Sequence, residues 1–475
     1  MSLKDTKIYA VLSRFDKYEQ NRCRKYIRSP YFNSNKNIEL LYEVIINIIN
    51  KPSKKKLTKE LVWKKLHNDK SYDDARFRKY SSDLLKLIEG YLTQQFYEES
   101  PLIAATNMLK VVDRRKLTDL YNSTIKNSRQ QSEKGKSLSA DYFFQQYKIA
   151  DYSFPLLDYN SKIKEKPTNY NEAMSNLDQF FFIEKLRIYS SILSREKIST
   201  HEFETDFIED VLKYVKNNLD KVVPSVQIYY RIYLTYVEEE NIKNYQCLKD
   251  LLENNTLQFP QQEAYRFYIQ LINFCIKKIQ SGYNDFYNEM FLIYKSMIAN
   301  EVIYENGIIS VSSFRNVVTV ATNLKEFSWA ENFIETNKTR LPIEQRENLV
   351  TFNLARVFFT QKKYSKVIEL LREVEYSDIS LSLQSKTFLL MTYYDTDEFE
   401  PLDFLLESFR VYINRHKEIP QKRREYFKNL IKFTKKLTKV IPGDKAAVAK
   451  IKKEIEETEG FRVKWLEEKI AELES

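Results

Sequence analysis

Residues that commonly carry out catalysis or bind metals are few and widely spaced in this chain of 475 residues. The histidines, which are His67, His201 and His416, form no H-E-x-x-H zinc motif. No two of the six glycines share a short motif, which excludes a G-x-x-x-x-G-K-[ST] phosphate loop, a dinucleotide-binding G-x-G-x-x-G turn and a G-x-S-x-G nucleophile elbow. The sequence therefore predicts no metal site, no catalytic residues and no cofactor.

The stretch DTDEFEPLD at residues 395–403 places several carboxylates close together, and carboxylates are ligands that calcium prefers. It lacks the glycine that an EF-hand loop has at its sixth position. We interpret it as a solvated turn with acidic residues at the start of a helix. No pattern singles out one catalytic pair among the 66 acidic residues, and we expect the protein not to be an enzyme.

Cysteine usage and hydropathy indicate the cellular compartment. Cys23, Cys247 and Cys275 form no C-x-x-C pair, so we expect each to be a reduced, buried side chain in a reducing compartment. The N-terminal MSLKDTKIYAVLSRF has no apolar core of signal-peptide length, and no uncharged apolar run approaches the ~18 residues of a membrane span. We therefore expect a cytoplasmic protein that does not enter a membrane.

The composition predicts an all-α fold. Six glycines and 11 prolines accompany 43% hydrophobic and 30% charged residues. Such a scarcity of helix breakers favours long helices joined by short polar turns over sandwiches or doubly wound sheets. The first of these helices is expected to run from about Asp5 to Ile27 and to stop at Ser29-Pro30.

Three successive blocks between residues 311 and 415 each have the pattern helix, polar turn, helix. They are SFRNVVTVATNLKEFSWAENFIETNKTRLP, LVTFNLARVFFTQKKYSKVIELLREV and LQSKTFLLMTYYDTDEFEPLDFLLESFRVYI. Aromatic residues close the three turns at Phe327, Tyr364 and Phe399, which repeat at intervals of about 35 residues. A helical hairpin with this period cannot bury its apolar face alone, so the blocks are expected to stack on one another.

These blocks resemble tetratricopeptide (TPR) repeats, whose pattern is W-x₂-L-G-x₂-Y, then A-x₃-F, then P. The residues of the first block that stand at these positions are Phe314, Val317, Val318, Ala321, Ala330, Ile334 and Pro342. The resemblance covers about a fifth of the chain. No block has glycine at the small position of its first helix, where Val318 and Leu390 stand, so the helices are expected to cross less closely than in a regular repeat.

The predicted architecture is an α-solenoid of TPR-like hairpins with a helical module before it and a helical cap after it. We assign residues 1–100 to a basic N-terminal helical module, 101–165 to connecting helices, 166–440 to the repeat array and 441–475 to capping helices. The alternative for residues 441–475 is a short helix for self-association, because their apolar residues recur at helical spacing.

The resemblance implies a groove for a protein or peptide partner, lined by the first helix of each hairpin. The positions expected to face it are Arg315, Thr319, Thr322, Asn323, Leu349, Phe352, Arg356, Phe359, Gln384, Thr387, Met391 and Tyr394. Among them, Arg315, Asn323, Phe352, Arg356, Phe359 and Tyr394 are the predicted contact residues. The alternative for Phe352 and Phe359 is that other helices of the chain cover them. The resulting hypothesis is a non-enzymatic interaction scaffold or adaptor.

The charge distribution leaves a second functional hypothesis open. The net charge is +10, and residues 1–200 and 401–475 are basic whereas residues 201–400 are mildly acidic. The basic ends could bind nucleic acid, an acidic partner or the acidic part of another copy, or form an ordinary solvated surface. The residues expected to contact phosphates in the nucleic-acid hypothesis are Arg22, Arg24, Lys25, Arg28, Lys54, Lys55 and Lys56.

Overall fold

The protein is all-α, as the composition predicts. A computed structural model describes residues 5–51, 58–67, 71–153, 168–196, 203–372, 378–441 and 443–474, and within them it contains 23 α-helices and one two-residue β-hairpin. None of the helices in these ranges combines the length and the apolar character needed to cross a bilayer.

The chain divides into two compact units, Met1–Glu184 and Lys185–Ser475. The finer boundaries predicted at residues 100, 165 and 440 stay predictions. The described helices of the first unit are α1 (Lys7–Leu12), α2 (Lys17–Arg28), α3 (Lys36–Asn50), α4 (Lys59–Leu66), α5 (Asp74–Glu99), α6 (Pro101–Arg115), α7 (Thr118–Lys134) and α8 (Ala140–Tyr152). A longer helix, α9 (Thr168–Glu196), contains the boundary between the units.

The single helix predicted from Asp5 to Ile27 is wrong, because the chain forms two helices there. Asp16 starts α2 with a capping box: its carboxylate accepts the Glu19 backbone N–H at 2.7 Å, and the Glu19 carboxylate accepts the Asp16 N–H at 3.0 Å. This reciprocal pair satisfies backbone donors that a helix start leaves open. Helices α1 to α5 then share an apolar core, in which the buried Tyr42 hydroxyl donates to the Gln20 carbonyl at 2.6 Å.

The second unit continues as a series of helices that pack on their neighbours in sequence. They are α10 (Ile208–Asn217), α11 (Pro224–Val237), α12 (Ile242–Asn255), α13 (Gln261–Gln280), α14 (Phe286–Ala299), α15 (Val311–Asn323), α16 (Phe327–Asn337), α17 (Arg346–Thr360), α18 (Tyr364–Leu371), α19 (Ile379–Asp395), α20 (Phe399–Arg415), α21 (Gln421–Leu437), α22 (Lys445–Glu456) and α23 (Lys464–Glu474). The antiparallel strands β1 (Tyr304–Glu305) and β2 (Ile308–Ile309) lie between α14 and α15.

The three turns marked by aromatic residues in the sequence have the same backbone conformation. In each, one residue lies in the left-handed region two positions before the aromatic residue: Lys325 (φ 61°), Lys362 (φ 58°) and Asp397 (φ 57°). The next residue donates its N–H to a carbonyl five positions back at 2.9 Å, from Glu326 to Ala321, from Lys363 to Phe358 and from Glu398 to Tyr393. This is the hydrogen bond of a Schellman motif, which ends a helix and redirects the chain. The repeat seen in the sequence is therefore also a repeat of backbone geometry.

Two of the helix contacts in the three blocks determine where the polar side chains of the first helices lie. Within each block, the first and second helices pack together, as α15 with α16, α17 with α18 and α19 with α20. Between blocks, the first helices pack side by side, as α15 with α17 and α17 with α19. This second set of contacts places side chains of α15, α17 and α19 on one shared face.

The helices after the repeats bury their apolar residues within the chain. α22 and α23 pack on each other and on α21. Val448, Ile451, Leu466 and Ile470 are all less than 9% exposed. These are the side chains that a self-association helix would need at its surface.

Candidate functional site

Two arginines from neighbouring helices reach the same oxygen atom of a third helix. Arg356 on α17 donates from Nη2 to Gln384 Oε1 on α19 at 3.2 Å, and Arg315 on α15 brings its Nη2 within 3.5 Å of that oxygen. Arg356 also donates from Nη1 to Thr319 Oγ on α15 at 2.9 Å. We call the side of α15, α17 and α19 that carries Arg315, Arg356 and Gln384 the arginine face.

A third arginine joins this pair through a short polar chain. Gln384 Nε2 donates to Ser380 Oγ at 3.2 Å, and Arg423 Nη2 on α21 donates to the same hydroxyl at 3.0 Å. We call these five residues, Arg315, Arg356, Arg423, Gln384 and Ser380, the arginine cluster. Arg315 and Arg356 are half-buried, whereas Arg423 is exposed.

Helical periodicity explains why these side chains meet. Arg315 and Thr319 are four residues apart on α15, and Ser380 and Gln384 are four residues apart on α19, so each pair lies on one side of its helix. The apolar residues between them, such as Val317 and Val318, are fully buried and hold the helices together. The packing of the first helices therefore fixes the positions of the polar residues.

The environment of Arg356 is apolar on one side and cationic on the other. Its guanidinium carbon lies 5.3 Å from the centre of the Phe352 ring and 5.6 Å from that of Phe388. Burial, and then the positive charge of Arg315, lower the pKa of Arg356 to about 10. Arg356 therefore remains protonated at neutral pH, although folding disfavours its charge. The aromatic faces offset part of this effect through cation–π attraction.

No carboxylate compensates these charges within the described chain. None of its ion pairs includes Arg315, Arg356 or Arg423. The Nε atoms of Arg315 and Arg356 are buried and have no acceptor there. Buried donors in folded proteins nearly always have a partner. The cluster therefore has positive charge and hydrogen-bonding capacity in excess.

The structure separates the other predicted groove residues. Asn323 is exposed at the end of α15, about two helical turns beyond Arg315. Phe352 is 0% exposed and lies in the core beneath Arg356, so the alternative that the chain itself covers it is correct. Phe359 is half-buried, with its ring centre 5.1 Å from that of Phe388. Phe352 therefore supports the face, and the prediction of a contact role for it is wrong.

The last predicted groove residue, Tyr394, is half-buried and contacts α23. Its ring packs edge-on against Trp465 of α23, with 5.2 Å between ring centres. The neighbouring Asp395 has a side chain only 7% exposed; it accepts from Trp465 Nε1 at 3.1 Å and from the Tyr364 hydroxyl at 2.8 Å, and pairs with Lys469 Nζ at 3.0 Å. The prediction of a solvated turn is therefore wrong for Asp395. Its carboxylate holds α23 against α19 through the bonds to Trp465 and Lys469.

The arginines of the alternative basic patch are paired with glutamates. Arg22 bonds Glu98 at 2.7 Å. Arg24 bonds Glu43 at 2.6 Å, and Arg28 bonds Glu39 at 2.6 Å and Glu43 at 3.3 Å. Lys25 is exposed. Lys54, Lys55 and Lys56 lie outside the described residues. The nucleic-acid hypothesis stays a prediction, but its arginines already have carboxylate partners.

Sequence reasoning omits two members of the arginine cluster, Arg423 and Ser380. Arg423 stands in the basic run QKRREYFKNL, which follows the recognisable repeats, and the signal that could identify it is this charge density alone. Nothing in the spacing shows that α21 places Arg423 next to Ser380. That placement depends on the packing of α20 against α21.

The described residues contain no group of three or more histidine, cysteine, aspartate or glutamate side chains that could hold a metal ion. Comparisons with known proteins give no further indication of chemistry. No protein-family model matches the sequence, and no curated protein matches it significantly.

Proposed function

We propose that this chain is a non-enzymatic interaction scaffold, an α-solenoid of TPR-like hairpins that presents its arginine face to a protein or peptide partner. The observation that carries the proposal is that one side chain, Arg356, links the first helices of all three blocks. It donates to Thr319 of α15 and Gln384 of α19 from its own position on α17. A face shared by successive first helices is what a helical-repeat protein uses to hold an extended partner.

The composition of the face supports this proposal. The half-buried Arg315 and Arg356 share the face with the half-buried ring of Phe388, whose centre lies 5.6 Å from the guanidinium carbon of Arg356. Arginine and aromatic residues dominate the binding energy of many protein interfaces. The turns that repeat at Lys325, Lys362 and Asp397 support the repeat architecture on which the face depends.

We place this function in the cytoplasm. Cys23, Cys247 and Cys275 are free thiols; Cys23 and Cys275 are buried, whereas Cys247 is only half-buried, so the prediction of burial is wrong for Cys247. Burial raises the pKa of Cys23 and of Cys275 to about 12, which keeps both thiols protonated and unreactive at neutral pH. Free cysteines in these positions are typical of a protein in a reducing compartment.

The test is to fill the face without changing the arginines. Asn323→Trp together with Met391→Trp adds two bulky side chains on the arginine face, at exposed and half-buried positions. Asn332→Trp on the second helix α16, where Asn332 is exposed, is the matched control. Each tagged protein is incubated with lysate of the source cells, and retained proteins are quantified by mass spectrometry.

We expect wild type and the Asn332→Trp variant to retain the same partner protein equally. The double variant with Asn323→Trp and Met391→Trp, called the filled variant, should retain at least about tenfold less of it, since one blocked contact at the centre of an interface costs that much affinity. The retained protein is then purified and its binding to each variant measured directly. Equal retention by all three proteins contradicts the proposal. Circular dichroism confirms that the variants keep their helix content.

A further inference from the structure

We propose that the arginine cluster is a binding site for a doubly charged oxyanion of the phosphate monoester class, carried by a phosphorylated side chain of the partner. This inference rests on the proposed function and deepens it. It specifies which chemical group of the partner the face recognises and which residues recognise it.

The positive charges of the arginine cluster favour a phosphate ligand. Arg315, Arg356 and Arg423 are connected through Gln384 and Ser380, yet none of them has an ion pair in the described chain. Bringing two like charges together in a half-buried site is unfavourable unless an opposite charge joins them. A carboxylate compensates one positive charge, whereas a phosphate monoester near neutral pH compensates almost two. The surplus positive charge of the arginine cluster therefore favours a phosphate ligand over a carboxylate.

The arginine cluster also has hydrogen-bond donors without acceptors. Arg315 and Arg356 each keep a buried Nε–H without an acceptor. Between them they direct two Nη groups at a single neutral amide oxygen, Gln384 Oε1. A guanidinium donates best in pairs of parallel bonds to an oxyanion, and a phosphate group offers three strong acceptor oxygens. The cluster has more donors than its own residues can satisfy.

A purely structural role does not require two arginines to share one neutral acceptor. On α2, Arg24 bonds the carboxylate of Glu43 at 2.6 Å, with both side chains about a quarter exposed. The half-buried Arg231 on α11 donates to a neutral amide oxygen, that of Asn244, at 3.1 Å, but no second arginine shares that oxygen in the described chain. At the arginine cluster a neutral glutamine occupies the position of the carboxylate. Binding sites commonly keep such locally unfavourable arrangements because the ligand completes them.

The experiment uses isothermal titration calorimetry with the full chain and three probes of graded charge. These are inorganic phosphate, N-acetyl-phosphoserine amide and N-acetyl-aspartate amide, each in chloride buffer at constant ionic strength. We expect both phosphate probes to bind and the aspartate probe to bind at least about tenfold more weakly, because hydrogen bonds to more highly charged groups are stronger. Aspartate binding as tight as phosphoserine binding overturns the inference.

Two variants locate the site. Arg356→Gln removes the half-buried charge, and we expect it to weaken phosphoserine binding by about tenfold or more. Arg410→Gln removes an exposed arginine of α20 that pairs only with Glu407 in the described chain, and we expect it to leave binding unchanged. Equal binding by wild type and Arg356→Gln contradicts the site.

Thermal stability and phosphoserine affinity together separate a binding role from a structural one. Arg356→Gln relieves repulsion from Arg315 but also removes the bonds to Thr319 and Gln384, so a change in Tm alone does not decide between the two roles. If Arg356 serves a ligand, phosphoserine affinity falls whichever way the Tm of the free protein changes. A Tm that falls by several degrees, together with unchanged phosphoserine affinity, identifies Arg356 as a structural residue and overturns the inference.

A final set of experiments distinguishes a phosphate carried by a protein from free phosphate. The same experiments separate the phosphate inference from the proposed function. A degenerate phosphoserine peptide library should compete for the site more strongly than inorganic phosphate. No gain over inorganic phosphate overturns the assignment to a partner side chain. If the filled variant loses its partner but phosphatase treatment of that partner changes nothing, the proposed function holds and the phosphate inference fails. If phosphate probes bind and the filled variant still retains every partner, the proposed function fails.

Discussion

Arginines of α2 and arginines of the repeats meet opposite surroundings. On α2, Arg24 and Arg28 share the carboxylate of Glu43 on α3, and the side chain of Arg24 is about as exposed as that of Glu43. On α15 and α17, Arg315 and Arg356 share the neutral amide oxygen of Gln384. Both regions bring two guanidiniums to one acceptor. They differ in whether that acceptor carries a charge.

The difference shows why the density of basic residues is a poor guide to function. The run NRCRKYIR on α2 is the more basic stretch in sequence, but its arginines are compensated by glutamates that lie 11, 19 and 76 residues away. Exposed ion pairs of this kind contribute little stability, and they also reduce the positive field that a phosphate would sense. The repeat arginines are fewer, yet their charge remains available.

Converting the acceptor of the repeats into a carboxylate should have the largest effect. Gln384→Glu would give Arg315 and Arg356 a shared carboxylate in place of the amide oxygen that lies 3.5 and 3.2 Å from them. We expect the free energy of unfolding of the second unit to rise by about 1 to 2 kcal/mol, because a charge-assisted hydrogen bond is stronger than a neutral one. Phosphoserine binding should be lost at the same time.

The measurement is urea unfolding followed by tryptophan fluorescence in a Trp63→Phe background, which leaves Trp329 and Trp465 in the second unit as reporters. The same substitution at a residue distant from the cluster, Gln258→Glu, is the control. A loss of stability in Gln384→Glu would mean that the amide group, and not the absence of a charge, is what the cluster requires.

Removing the shared carboxylate in the first unit should lower the free energy of unfolding, by less than Gln384→Glu raises it in the second unit. Glu43→Gln removes the carboxylate shared by Arg24 and Arg28, and the bond to Glu43 is the main reason that the pKa of Arg24 is raised. Since these side chains are partly exposed, we expect a loss of about 1 kcal/mol or less. Hydrogen exchange of the amides of α2 and α3 measures it locally, in a double-mutant cycle with Arg24→Gln. A cycle without coupling energy would show that the pair contributes nothing.

Much of the fold is predictable from the sequence because local signals decide it. The scarcity of glycine and proline predicts the helices, and the aromatic residues at Phe327, Tyr364 and Phe399 mark the starts of α16, α18 and α20. The break between α1 and α2 is missed, although Asp16 and Glu19 have the spacing of a capping box. The left-handed turns at Lys325, Lys362 and Asp397 are also missed, because residues other than glycine rarely adopt that conformation.

The site is only partly predictable, because it depends on contacts between distant residues. Helical spacing and the resemblance to TPR repeats predict that Arg315, Arg356 and Gln384 face one groove from successive first helices. They do not show that Phe352 lies beneath Arg356, or that Trp465 contacts Tyr394 from 71 residues further along the chain. Whether an arginine is paired is a tertiary property, so the contrast between the two regions is invisible in the sequence.

The smallest expected effect is the response of the two substitutions to salt, and it tests whether charge is the cause of both. Raising sodium chloride from about 0.05 M to about 0.5 M shortens the range over which partly exposed charges interact. The increase in free energy of unfolding caused by Gln384→Glu and the decrease caused by Glu43→Gln should therefore both become smaller, by a few tenths of a kcal/mol. Chloride is used because sulfate and phosphate would occupy the arginine cluster that we propose. If the changes in free energy of unfolding stay constant across this range of salt, packing and not charge is their cause. The contrast between a compensated and an uncompensated pair of arginines would then lose its electrostatic basis.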